Sequence, residues 1–249
     1  MLRVGFSEFD ITPPVGKLMP GGFTGCLTTE PARGKLLVTA AAFEVDSSPL
    51  ILVSADTLSI QISTCDRIRN RISEATSVPF DRILVGATHT HTGGQTDYQL
   101  WLCPPDLEVA SLTEEGIVGA AIDAYGKLAD AAIGTGKGEE KRYSFCRDIH
   151  LTDGSIKMNP SRAHRELMVA PVDTPDYSVN VMRIDSAEGD VRGFIVNYAN
   201  HPDCHAKNKK SFSADFPGAL RRGLKRVYGE DVFVLFFNGT CGDVNCIDW

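Results

Sequence analysis

Two histidines that stand two residues apart are the part of this sequence best suited to chemistry. His89 and His91 lie in the segment Gly-Ala-Thr-His-Thr-His-Thr-Gly-Gly, residues 86–94. Because side chains two residues apart on an extended backbone point the same way, both imidazoles can converge on one point. Imidazole is a common metal ligand and a good proton carrier near neutral pH. The segment therefore predicts a metal or catalytic site, although two such histidines can also form a merely polar strand end.

A third histidine, His201, is followed by a proline, and this rigid setting suits a ligand. It lies in the segment Asn-Tyr-Ala-Asn-His-Pro-Asp-Cys-His, which ends at His205. Zinc accepts nitrogen, sulfur and carboxylate donors, so Asp203, Cys204 and His205 are alternatives. The simpler interpretation of His201 is a loop histidine bonded to backbone. If His89 and His201 share an ion, their side chains must lie within ~5 Å of each other, because nitrogen-to-zinc bonds are near 2 Å long.

The segments before His89 predict a parallel strand pair that places this residue at the edge of a sheet. The apolar runs 50–55 and 82–88 predict two buried strands. Between them, apolar residues at helical spacing predict a helix that opens near Ser63. These residues are Ile62, Cys65, Ile68, Ile72 and Ala75. Such a strand-helix-strand unit is typical of parallel strands, whose carboxyl ends bind ligands in open α/β sheets.

The middle of the chain predicts a long helix and then an antiparallel hairpin. Ser111 and Glu114 have the spacing of a capping box, and apolar residues recur at helical spacing over residues 112–133. The runs 177–185 and 191–198 are separated by a turn sequence, which predicts the hairpin.

The last elements predict a short helix and another buried strand. The helix begins near Pro217, ends at Gly229 and is expected to point Leu220, Leu224 and Val227 inward. The apolar run 232–237 follows as a strand. No linker is evident, so we expect residues 1–249 to form one α/β domain, with mixed parallel and antiparallel sheets flanked by helices.

The composition is that of an ordinary globular protein with an acidic surface. The chain has 25 Lys and Arg against 32 Asp and Glu, a net charge of −7, which disfavours nucleic-acid binding. No apolar run reaches the ~20 residues of a membrane span, and the first residues lack a secretory signal. The cysteine count is odd, seven in all, which predicts free thiols in a reducing compartment. We therefore expect a cytoplasmic protein; the oligomeric state carries no sequence signal.

Several further motifs are ambiguous one by one but specific in their order. They are Asp10-Ile-Thr-Pro-Pro, Val53-Ser-Ala-Asp56, Ala87-Thr-His-Thr-His91, Asn200-His-Pro, Ser213-Ala-Asp215 and Asn238-Gly-Thr-Cys-Gly-Asp-Val-Asn245. Together they resemble the N-terminal catalytic domain of the neutral/alkaline non-lysosomal ceramidase family, and in particular its smaller bacterial relatives. The resemblance spans nearly the whole chain.

The resemblance implies a Zn2+ ion held by His89 and His201. His91 would face the substrate, and it is the candidate for proton transfer, while Arg147 matches an arginine that holds substrate near the metal. In such enzymes the zinc activates a water that attacks an N-acyl carbonyl. The expected activity is hydrolysis of a small-molecule or lipid-like N-acyl amide, as in sphingolipid metabolism.

Two departures from the family pattern qualify this expectation. Asn245-Cys246 stands where the ceramidases have Ser-Pro with a catalytic serine; Asn245 is the candidate to donate a hydrogen bond to an oxyanion. The family's remaining zinc ligands, a glutamate and a tyrosine, lie beyond Trp249. We therefore expect a domain truncated at its C-terminus, or a replacement ligand such as Asp56 or Asp203. The alternatives are a catalytically incomplete remnant and a metal-dependent hydrolase of another ester or amide.

Overall fold

The computed structural model describes residues 1–20, 26–97, 104–205 and 210–248. Two 3-10 helices, Phe80–Arg82 and Arg162–Leu167, accompany the regular elements. The strands and α-helices in chain order are β1 Leu2–Asp10, β2 Leu18–Met19, β3 Cys26–Leu27, β4 Leu37–Val45, β5 Ser48–Ala55, α1 Ile62–Thr76, β6 Ile83–Ala87, α2 Leu107–Gly126, β7 Ala129–Glu139, β8 Phe145–Cys146, β9 Asp148–Leu151, β10 Ile156–Met158, β11 Met168–Pro171, β12 Ser178–Ser186, β13 Val191–Tyr198, α3 Asp215–Tyr228, β14 Phe233–Asn238 and β15 Val244–Asn245.

The main sheet is mixed, as the sequence predicts. Its eight strands have the order β14-β13-β12-β7-β1-β4-β5-β6. The pairs β5–β6 and β13–β14, one at each end, are parallel, and every other neighbouring pair is antiparallel. Helix α1 connects the first parallel pair, and α3 connects the second. His89 follows β6 and His201 follows β13, so both histidines extend from the carboxyl ends of parallel strands.

The two ends of this sheet curl towards each other and enclose a core. Val4 and Phe6 of β1 pack with Ile184 of β12 and Leu235 of β14. Helices α1 and α2 cover the outer face of the β1-β4-β5 half, and α3 covers the outer face of β13 and β14. The Ser54 hydroxyl donates a hydrogen bond to the Phe236 carbonyl at 2.6 Å, across the layers. The curl thus brings the ends of β6 and β13 to a common seam.

The predicted helix at 112–133 is wrong at both ends. Helix α2 begins at Leu107, where the Asp106 carboxylate accepts hydrogen bonds from the backbone N–H groups of Glu108 and Val109. The Ser111 box therefore lies inside the helix. β7 begins at Ala129 because its pairing with β1 and β12 outweighs the helical preference of alanine.

Two smaller expectations about helices are also corrected. The residue that precedes α1 is Gln61, and it makes no side-chain cap, so Ser63 does not open this helix. In α3, Leu220 and Leu224 pack against the core as predicted. Val227, however, is 71% exposed, because it lies on the outer face of the last turn.

The six described cysteines form no disulfide bonds with one another, and Cys103 lies outside the described residues. Within the described ranges, no helix has both the length and the apolar character that a membrane crossing requires.

Candidate metal centre

His89 is placed by a backbone turn at the end of β6. The Thr88 N–H donates to the Ala55 carbonyl, and the His89 N–H donates to the Thr57 carbonyl at 3.0 Å. His89 has φ of +68°, in the left-handed region, which costs a residue with a side chain about 1–3 kcal/mol. The backbone here is therefore not extended. His89 and His91 converge because of this turn, and the simple two-residue alternation of the sequence argument does not apply.

The threonines beside the histidines fasten this segment to the protein. Thr90 and Thr92 are completely buried. Both hydroxyls donate to the Ser213 carbonyl, at 2.8 and 2.9 Å, and the Ser213 N–H donates back to the Thr92 carbonyl. In the sequence His89-Thr90-His91-Thr92 the threonines thus face inward and the histidines face the site. This is the physical role of the Ser213 motif.

His201 is placed by the loop that follows β13. The Asn200 side chain donates to the Tyr143 carbonyl at 2.8 Å, which fixes the start of the loop. The His91 N–H donates to the Pro202 carbonyl at 3.0 Å, so the two histidine segments are joined through their main chains. His201 itself is buried.

The three imidazoles meet at their Nε2 atoms. The His201 Nε2 atom lies 3.2 Å from Nε2 of His89 and 3.0 Å from Nε2 of His91. In the described part of the chain, His89, His91 and His201 form a group with the spacing that a metal ion needs; we call it the histidine trio. The expected convergence of residues 89 and 201 is well inside the 5 Å limit set by the sequence argument.

Hydrogen bonds at the Nδ1 atoms determine what the Nε2 atoms can do. Nδ1 of His89 lies 2.8 Å from the Leu58 carbonyl oxygen, and Nδ1 of His201 lies 3.0 Å from the Cys241 carbonyl oxygen. A carbonyl oxygen can only accept, so both Nδ1 atoms carry the proton. In a neutral ring this leaves a lone pair on Nε2. Lone pairs that face each other at 3.2 Å repel unless a proton or a metal ion lies between them.

The electrostatics of His201 keep its lone pair available. Burial lowers the pKa of His201 to about 4, and the positive charge of nearby Arg147 acts in the same direction. The hydrogen bond to the Cys241 carbonyl opposes these effects. His201 is therefore neutral at pH 7, which is the form that binds a metal ion.

Arg147 lies near the trio, on the β15 side. Its Nε and Nη2 atoms donate to the Gly242 carbonyl, at 3.0 and 2.5 Å. Its own N–H donates to the Asp243 carbonyl at 2.7 Å. The guanidinium charge contributes to the low pKa of His201, which places it within electrostatic reach of the trio.

Asn245 makes its side-chain hydrogen bonds to groups other than the trio. It is buried in β15, where its Nδ2 atom donates to the Asn159 side chain at 2.8 Å and its Oδ1 atom accepts from the Ile247 N–H at 3.0 Å. Among the described residues, no hydrogen bond joins it to a histidine of the trio. Its role as an oxyanion donor therefore stays a prediction.

Among the described residues, none of the candidate replacement ligands belongs to the group with metal-binding spacing. Asp56 is buried in an ion pair with Arg221 at 3.0 Å, and it also accepts a hydrogen bond from the Leu37 N–H at 2.8 Å. The His205 N–H donates to the Asp215 carboxylate at 2.9 Å. Asp203 lies on the outer side of the trio, with Oδ1 3.6 Å from Nδ1 of His91.

Sequence reasoning missed the groups that orient the imidazoles. The acceptors for His89 and His201 are the carbonyls of Leu58 and Cys241, and a backbone carbonyl leaves no signal in residue type. Asp203 could have been recognised from its position two residues after His201, but the sequence suggested it only as a ligand.

Comparisons with known proteins bear on the fold. Neither a protein-family model nor a curated protein matches this chain by sequence. Among solved structures, a ceramidase complexed with C2 matches 98% of this chain with a TM-score of 0.80 and 20% identity. The neutral ceramidase from Pseudomonas aeruginosa matches 98% with a TM-score of 0.77 and 19% identity.

The chain spans 38% and 39% of the lengths of those two structures. Identities this low establish a shared fold, while activity and substrate require their own evidence. The resemblance suggested by the ordered motifs is thus found again in three dimensions, independently of sequence identity. Over the part that it spans, this chain has the fold of the neutral ceramidases.

Proposed function

We propose that the histidine trio binds one Zn2+ ion and that this centre hydrolyses an amide bond. One observation carries the proposal: the Nε2 atom of His201 lies 3.2 Å from that of His89 and 3.0 Å from that of His91. On the other side of each ring, the Nδ1 atom faces a backbone carbonyl or a carboxylate. Two imidazoles can share a single proton, but three ring nitrogens around one point fit a metal ion better.

The donor set fits zinc better than the hard cations. Mg2+ and Ca2+ prefer oxygen ligands, whereas zinc accepts imidazole nitrogen at about 2.0–2.1 Å. Two nitrogens on one tetrahedral zinc lie about 3.3 Å apart, close to the separations within the trio. Three histidines also supply the three protein ligands that are usual in catalytic zinc sites. We therefore assign His91 as a third ligand, and this assignment replaces its expected role in proton transfer.

Each remaining group has a role that follows from its position. A zinc ion at such a centre lowers the pKa of a water molecule to about 7 and polarises a carbonyl group. The trio holds its rings in fixed orientations through Leu58 and Cys241. Arg147, whose Nη1 atom has no hydrogen-bond partner in the described part of the chain, is suited to hold a substrate carbonyl or carboxylate.

The proposed substrate is an N-acyl amide with a lipid-like acyl group. The support is that two solved ceramidases share the fold over 98% of this chain. The same centre could also cleave an ester, since zinc polarises both kinds of carbonyl. Amide hydrolysis is favoured because the fold neighbours are ceramidases.

Metal analysis is the first test. The purified protein is expected to retain about one zinc ion per chain after dialysis, and His89→Ala and His201→Ala are expected to lose it. His150→Ala is the matched control, because His150 is exposed in β9 and outside the trio. Equal zinc contents in all four proteins would refute the site.

Hydrolysis is the second test. N-acyl sphingosine and a matched acyl ester are incubated with each protein, and the released fatty acid is measured. We expect release from the amide by the protein and by His150→Ala, with a loss of at least about 100-fold in His89→Ala and His201→Ala. Zinc binding without hydrolysis of either substrate would favour the non-catalytic remnant.

A further inference from the structure

We infer that Asp203 is a positioning residue for His91, which it holds so that Nε2 faces the metal. The inference rests on the proposed zinc centre and deepens it. It also gives Asp203 a role different from the ligand role considered from the sequence.

Asp203 and Pro202, which lie in one tight turn, both contact His91. The Asp203 N–H donates to the His201 carbonyl at 2.8 Å, which closes the turn directly after the metal-facing histidine. The Pro202 carbonyl in this turn accepts the His91 N–H at 3.0 Å. The Asp203 carboxylate lies 3.6 Å from Nδ1 of the same imidazole. Backbone and side chain of one turn therefore fix both ends of His91.

The position of the carboxylate excludes direct ligation. Asp203 faces Nδ1 of His91, whereas the trio meets at Nε2, on the opposite side of the ring. Among the described residues, the group with metal-binding spacing contains the three histidines and does not include Asp203.

The three imidazoles differ in the acceptor that each one faces. His89 and His201 face neutral carbonyls, and His91 faces a carboxylate. A carbonyl is sufficient to select the tautomer. A carboxylate also makes the ring a more basic ligand and offsets the positive charge of a bound ion and of nearby Arg147. His91 is partly exposed, so it has more need of an anchor than buried His201.

Metal affinity measured on the purified protein tests this role without relying on activity. The apo protein and its variants are titrated with Co2+ and Zn2+ against a chromogenic chelator, and the visible spectrum of the cobalt form is recorded. Asp203→Ala is expected to weaken binding about 10–100-fold and to alter the cobalt bands. Asp203→Asn, which keeps an acceptor oxygen but no charge, is expected to weaken it less. Asp190→Asn, in an exposed turn, is the control.

The outcomes separate the two proposals. If the unchanged protein binds neither metal, the zinc centre and the role of Asp203 both fail. If it binds zinc and Asp203→Ala stays within about twofold of it, only the positioning role fails. Thermal unfolding of the apo proteins checks that Asp203→Ala folds. If Asp203→Ala does not fold, the metal affinity of Asp203→Asn is the test. An affinity equal to that of the Asp190→Asn control would then overturn the inference.

Discussion

The backbone N–H of His91 donates a hydrogen bond to the carbonyl oxygen of Pro202 at 3.0 Å. This bond joins the loop after β6 to the loop after β13, and it does so without any side chain. The two histidine segments are therefore joined through the main chain, and we expect the fold to persist when a single imidazole is removed. That property makes the mutational tests of this site informative.

His89→Gly is expected to be more stable than His89→Ala by about 1 kcal/mol. Both variants lack the imidazole, but only glycine adopts φ of +68° without strain. Chemical denaturation of the two apo proteins measures the difference. Equal stabilities would mean that the left-handed turn relaxes once the ring is gone.

Thr90→Val and Thr92→Val are each expected to lower the free energy of unfolding by about 0.5–1.5 kcal/mol. The double variant is expected to cost more than the sum of the two, because either threonine alone still satisfies the Ser213 carbonyl. Thr39→Val is the control: the buried Thr39 hydroxyl has no hydrogen-bond partner among the described residues, so its removal should be neutral or stabilising. Strict additivity would argue against a shared acceptor.

Alanine substitutions at two glycines of α2, three residues apart, should change the free energy of unfolding in opposite directions. At Gly116 an added Cβ would lie 2.7 Å from Cγ2 of Ile11, so Gly116→Ala is expected to destabilise the protein by roughly 1–3 kcal/mol. At Gly119 nothing lies within 4 Å, and Gly119→Ala should stabilise the helix by about 0.5–1 kcal/mol. Thermal or urea unfolding distinguishes them. A stabilising Gly116→Ala would contradict the close packing of α2 on β1.

Glu114 links α2 to α1 through Arg67 at 2.6 Å and Arg71 at 3.2 Å. The hydrogen bond from Arg67, with the charges of both arginines, lowers the pKa of Glu114 below its usual value of 4.5. A carboxylate with a lowered folded-state pKa adds stability above pH 4.5, and this stability is lost as the pH falls through the folded-state value.

Glu114→Gln should therefore cost about 0.5–1 kcal/mol at pH 7, where solvent screens the partly exposed arginines, and progressively less towards pH 3. Urea unfolding across this range gives the profile. Glu115→Gln, at a more exposed position, should change stability less. A cost for Glu114→Gln that does not depend on pH would rule out an electrostatic origin.

Local pattern was sufficient to predict the elements that carry the histidines. A short stretch of sequence shows the spacing of apolar residues in each of three units: β5-α1-β6, the β12–β13 hairpin and α3–β14. The end of α2 could not be predicted in this way, since Ala129 suits a helix as well as a strand. Its state is decided by pairing with Arg3 and Val4 of β1 and with β12, which are distant in sequence.

The same distinction holds for the site. His89 and His201 were each candidates because each follows a buried strand, and the family resemblance paired them. The geometry of His91 could not be predicted from the sequence, because it depends on the left-handed turn at His89 and on the Pro202 carbonyl. Both are backbone properties that residue type does not reveal.

The curl of the sheet gives a bound ion a mechanical consequence. His89 and His201 are 112 residues apart; they follow β6, at one end of the strand order, and β13, next to the other end. An ion bound between them would act as a reversible cross-link that closes a very long loop, and at a free concentration of 1,000 times the Kd it would add about 4 kcal/mol to stability. Chelation would then loosen β6 and β13 together, far beyond the immediate ligands, and faster backbone amide exchange in both strands would record it.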